Sequence, residues 1–294
     1  MSSRTNRTSA RRGGRRTGEA RVGLTAAMGL TAMALLAGRA AGAMASPAAG
    51  EVAPVDRPAG PAPAQEVAAE HDPARFIPGL LSPTTGSLRA VGLGWAGYDG
   101  AAHDPLMGAL AQARLGSRVI LGVSATYAPA SATESAAVRP SVGIQVQLLD
   151  QERHGLDAGL GFGFHQDRFV GEEGFLEAVM TAGWRSDRTT VVGNVGYGRD
   201  GEGDDSEAEV RVAVLRRLGG RFHLGIDGKA RKLLVSTDPN RLAHGTPSYE
   251  FMAGPLAAVL IGPMAVSVEA GVSGVDRQRL QTGLTTMGMV GAAF

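Results

Sequence analysis

From about Thr85 to the last residue, Phe294, apolar residues alternate with small or polar ones at a period of two, in runs of roughly 10 to 14 residues. Successive side chains of a strand point to opposite faces, so each run presents one apolar face. Length is the stronger constraint. Strands of soluble domains are typically about 5–6 residues. A tilted strand crossing a bilayer needs about 9–11. Long strands with one apolar face fit a sheet in lipid, and a sheet in lipid must close on itself because no water satisfies a free edge.

The clearest run is Ser141 to Leu149, where Val142, Ile144, Val146 and Leu148 oppose Ser141, Gly143, Gln145 and Gln147. Leu156, Ala158, Leu160, Phe162 and Phe164 continue the pattern against Asp157, Gly159, Gly161, Gly163 and His165. Many of the 43 glycines fall inside such runs, where a small residue relieves crowding or allows a bend. Twelve strands are expected, at 85–98, 105–115, 118–128, 139–150, 156–167, 174–185, 188–199, 206–217, 221–232, 248–261, 264–274 and 280–294. Joins after the even strands are short: Leu115 to Arg118, Asp150 to Gly155, Arg185 to Arg188, Leu218 to Arg221 and Ile261 to Pro263. Joins after the odd strands are mostly longer: Tyr98 to Asp104, Ala128 to Val138, Arg168 to Gly174, Asp200 to Asp205 and Leu233 to Pro247, with Gly274 to Arg279 only modestly so. Short turns on one side and long loops on the other characterise outer-membrane barrels, the short turns being periplasmic. The expected fold is therefore an all-β, antiparallel, up-and-down transmembrane β-barrel of about 12 strands, with 10–14 accommodated.

The region before the alternation divides in two. Residues 1–45 read as a signal peptide: an Arg-rich start, the uncharged run 22–38, then Ala43-Met44-Ala45 with cleavage after Ala45. Residues 46–84 are rich in Ala, Pro and Glu without periodicity, as in a periplasmic tether. Within them, Phe76 to Leu81 is more apolar and is expected either to dock on or inside the barrel mouth or to lead into the first strand. Residues 85–294 form the barrel domain.

The net charge of +1 hides an asymmetry. The first 45 residues hold eight Arg and one Glu, leaving 21 basic and 27 acidic residues, or −6, for the rest. A nucleic-acid partner is therefore not expected. Cysteine is absent, which excludes disulfides and thiolate metal sites.

No Walker loop, G-x-S-x-G, H-E-x-x-H or dinucleotide-binding glycine motif is present, so no catalytic, cofactor or metal residues are expected. Gly161-Phe162-Gly163 lies within a strand. His165 and Asp167 sit at a strand end without an obvious Ser nucleophile. In the loop Gly198 to Glu207, Asp200, Glu202 and Asp204 have the opening spacing of a calcium loop, but Asp205 and Arg211 occupy positions that require Gly and Glu. A solvated acidic loop is the expectation there.

The charge rows of two successive strands are more informative. With Val210, Val212 and Val214 toward lipid, Glu207, Glu209 and Arg211 point inward. With Phe222, Leu224 and Ile226 toward lipid, His223, Asp227, Lys229 and Arg231 do too. A charged network lining the lumen is expected, which either fills the barrel by internal pairing or lines a pore.

In the last strand, Leu284, Thr286, Gly288, Val290, Ala292 and Phe294 share one face. This resembles the C-terminal strand of bacterial outer-membrane barrel proteins. The resemblance implies that Phe294 is read by the barrel-insertion machinery, that outer-membrane lipid and lipopolysaccharide surround the protein, and that the location is the bacterial outer membrane. The expectation is a monomeric, non-enzymatic small passive pore or structural membrane protein. The alternatives are an accessory barrel for export or assembly of a surface polymer, a lipid-acting barrel enzyme, and a soluble periplasmic all-β protein.

Overall fold

The computed structural model describes residues 72–77, 79–83, 89–128, 136–166, 174–201, 203, 205–236, 248–276 and 279–294. Among these, twelve strands follow in chain order: β1 (Ala90–Asp99), β2 (Asp104–Leu115), β3 (Val119–Ala128), β4 (Ala137–Leu149), β5 (Asp157–Gln166), β6 (Gly174–Arg185), β7 (Thr189–Asp200), β8 (Asp205–Gly219), β9 (Phe222–Ser236), β10 (Tyr249–Ile261), β11 (Met264–Asp276) and β12 (Leu280–Ala293). Each pairs antiparallel with the next, and β12 returns to pair with β1, so the barrel is closed. Phe294 completes the seam. Its N–H donates to the Ala90 carbonyl at 2.8 Å, and its own carbonyl accepts from the N–H groups of Arg89 and Ala90.

The outer surface is apolar because every outward position of the alternation now faces away from the lumen. Val142, Ile144, Leu176, Met180, Val195, Val210, Val212, Leu224, Ile226, Val268, Leu284 and Val290 are all exposed. An apolar surface this extensive is a membrane surface. Aromatic residues stand at both rims: Trp184, Phe222 and Phe294 at the end with short turns, Tyr98, Tyr197 and Tyr249 at the end with long loops. The fold is a transmembrane β-barrel.

The observed strands match the expected ones in number and order, with shifted bounds. β8 and β9 are longer than expected, at 15 residues each. The join after β4 holds one helical turn, α1 (Gln151–His154), capped by Asp150 and ended by Gly155 at φ +79°. Of the segment Gly198 to Glu207, expected as a solvated acidic loop, Glu202 and Asp204 lie outside the described residues. β7 runs to Asp200 and β8 begins at Asp205, which is buried. The Asp200 carboxylate accepts from the N–H groups of Gly203 and Asp205.

A close approach of β10 and β11 depends on glycine. A Cβ built on Gly254 or on Gly271 would overlap the backbone of the facing strand. The wall closes there only because neither residue carries a side chain.

Candidate functional site: an occupied lumen

The lumen is filled from its short-turn end by the segment before β1. Residues 72–83 enter beside Arg185, the last residue of β6, and reach Arg211 near the middle of β8 at Gly79. They turn back past Pro83, which lies against Gly183. Gly79, at φ +71°, takes the left-handed conformation of the turn. Of the two sequence alternatives for Phe76 to Leu81, the docked one is observed: Phe76, Ile77 and Leu80 are buried inside the barrel.

Two kinds of contact hold this plug. The first is apolar. Ala74, Phe76, Ile77 and Leu80 join Val91, Leu93, Leu215, Leu256, Leu260, Met287 and Met289 in one core. Burying each large side chain contributes about 1.5–3 kcal/mol against exposure. The second is polar, because an inserted backbone must have its hydrogen-bonding groups satisfied. The Gln145 side chain donates to the Ser82 carbonyl at 2.7 Å. The Asn194 amide, in the orientation that satisfies both groups, donates to the Leu81 carbonyl at 3.0 Å and accepts from its N–H at 2.7 Å. Asp72 ties the two arms together: it accepts from the Ala74 N–H and the Ser82 hydroxyl at 3.1 Å each, and lies 3.8 Å from the Arg185 guanidinium.

Beyond the plug, toward the long loops, the charge rows of β8 and β9 face inward. Glu209 stands opposite Arg231 and Arg211 opposite Lys229 in the strand register. The ion pairs form along the diagonals instead: Arg211 with Asp227, Lys229 with Glu209 at 2.9 Å, and Arg231 with Glu207 at 3.5 Å. Arg231 also binds Glu250 of β10. Diagonal neighbours lie about 7–8 Å apart at Cα, a span that long side chains bridge. Six of the seven residues expected in the lumen network thus form one ladder. His223 points inward but lies apart, near the short-turn end of β9. Ala45 lies outside the described residues.

Sequence reasoning missed two features of this lumen. One is the apolar seat for the plug, on the inner faces of β10, β12 and β1. The other is Glu177 on β6, which lines a cavity of about 260 Å³ between the plug and the long loops. Among the described residues no group of three or more His, Cys, Asp or Glu is placed to hold a metal ion.

This architecture is that of bacterial outer-membrane porins and channels. An outer-membrane channel from Pseudomonas putida F1 superimposes with a TM-score of 0.51 at 9% identity, over 74% of this chain and all (100%) of that one. The NanC porin matches with a TM-score of 0.50 at 10% identity, over 69% of this chain and 98% of its own. The KdgM porin, solved in complex with disordered oligogalacturonate, gives 0.50 at 10%, over 69% and 99%. At these identities the likeness is one of fold. No protein-family model matches the chain. No curated protein sequence matches it.

Proposed function

We propose that the protein is a passive outer-membrane pore whose resting lumen is stopped by its own N-terminal segment. The observation that carries this reading is the position of residues 72–83, inside the barrel and anchored to Gln145 and Asn194. A barrel of twelve strands stands between eight, whose interior side chains fill, and sixteen, which leave a channel. Here a segment of chain supplies the missing filling, and what fills non-covalently can leave. The charge ladder of Glu207, Glu209, Arg211, Asp227, Lys229 and Arg231 then lines the passage above the plug. The short-turn end faces the periplasm. The single chain closes its own barrel, so it acts as a monomer in a shell of outer-membrane lipid and lipopolysaccharide.

The test is single-channel recording of the chain 46–294 refolded into planar bilayers. Substituting Gln145→Ala and Asn194→Ala removes the two wall side chains that hydrogen-bond the plug backbone and leaves the wall intact. Rare, brief openings are expected for the unaltered chain and a marked rise in open probability for the double variant. Silence from both would contradict a pore and favour a filled, structural barrel.

A further inference from the structure

We propose that the cavity above the plug binds a small organic cation, an ammonium or guanidinium on a compact apolar body, with Glu177 as its carboxylate partner. This deepens the pore reading by naming the class of solute the lumen favours.

The lining of the cavity carries the inference. Its ionisable side chains are Glu177, Glu209 and His165, with no Lys or Arg. Glu209 already has its counter-charge in Lys229. Glu177 makes no ion pair or hydrogen bond among the described residues. The ladder beside it cannot supply one, since Glu207, Glu209 and Glu250 outnumber Lys229 and Arg231 and engage both. A carboxylate held in a partly enclosed, apolar-walled space without a cation is a site for one from solution.

The wall around Glu177 keeps it accessible. In the register it faces Gly163 on β5 and Gly198 on β7, with Gly196 on the diagonal. A Cβ at Gly196 would stand 3.2 Å from Glu177 Oε1, and one at Gly163 4.0 Å from Oε2. Side chains at these positions would press on the carboxylate or cover it.

The remaining lining selects an organic cation over a metal ion. One free carboxylate is too few ligands for a divalent metal, which takes six or more oxygens. Trp95 on β1, nearly opposite Glu177 across the ring of strands, offers an aromatic face; Leu80, Leu81, Leu110 and Val179 offer apolar surface. The volume lies just below the range of small-molecule sites, about 300–1,000 Å³, so the ligand is small.

Trp95 also reports occupancy. The chain has two tryptophans, and the other, Trp184, is on the outer surface. The refolded chain 46–294 carrying Trp184→Phe is titrated in detergent with benzylamine, protonated at neutral pH, and with the isosteric benzyl alcohol and with benzoate. Saturable change in Trp95 emission is expected for benzylamine, at concentrations about ten-fold below those for the alcohol and with no saturation by benzoate. Glu177→Gln should remove that ten-fold preference, while Glu152→Gln on α1 should not. Equal response to all three compounds, or a preference that survives Glu177→Gln, would overturn the proposal. The comparison of compounds needs no change at Glu177, so a misfolded variant does not rescue it. Cation binding in a barrel that passes no current would contradict the pore and leave the site standing.

Discussion

Arg211 on β8 binds Asp227 on β9 across the diagonal of their register, and the same guanidinium packs against the turn of the plug, its Nη1 3.0 Å from where a Cβ on Gly79 would lie. Both charged side chains are almost wholly enclosed. The wall and the plug therefore share one buried ion pair.

Breaking that pair by Asp227→Ala takes from the enclosed Arg211 guanidinium the carboxylate it binds. The expected loss of stability is about 3–5 kcal/mol. Urea denaturation of the refolded barrel, followed by heat-modifiable gel mobility, measures it. Replacing both partners with Arg211→Met and Asp227→Leu should restore part of the loss, because the two buried charges of the pair are removed together. A single variant as stable as the parent would show that the pair contributes nothing.

The close approach at Gly254 predicts a sharp difference between two glycines. Gly254→Val places side-chain atoms in the backbone of β11 around Ala270 and should prevent closure, seen as loss of the fast-migrating folded band. Gly94→Ala on β1 meets nothing within 4 Å and should fold like the parent. Equal folding of both would contradict a wall that needs glycine at position 254.

Phe294 separates assembly from stability. Its side chain is about half exposed on the outer face, while its backbone makes the seam hydrogen bonds to Arg89 and Ala90. Phe294→Ala keeps those bonds, so refolding in detergent should change little. If the side chain is the signal read during insertion, the amount of folded barrel in outer-membrane fractions should fall several-fold. Unchanged amounts in membranes would assign Phe294 to seam closure alone.

The barrel was legible in the sequence because lipid imposes one requirement on every strand: each outward residue must be apolar. Val210, Val212, Phe222 and Leu224 obey it, and their alternation also placed Arg211, Asp227 and Lys229 inside. The plug was not legible, for two reasons. Phe76 to Leu81 is too short to show a period, so its apolar residues fit docking and a lead-in equally. Its seat is also concealed. Where Leu256, Met287 and Met289 point inward to meet it, β10 and β12 are apolar on both faces and the alternation fades. Glu177 was passed over because it is a lone acid in an apolar strand. Only the folded ring shows that its flanking inward neighbours are glycines and that no Lys or Arg among the described residues pairs with it.

The central claim is that residues 72–83 stop the lumen, and deleting them tests it most directly. Single-channel currents of the chain 46–294 and of the same chain lacking residues 72–83 are compared in planar bilayers, with folding of both checked by heat-modifiable mobility. The account predicts a mostly closed parent and a deletion variant that stays open with steady conductance. Equal conductance from the two folded barrels, or none from either, would contradict it.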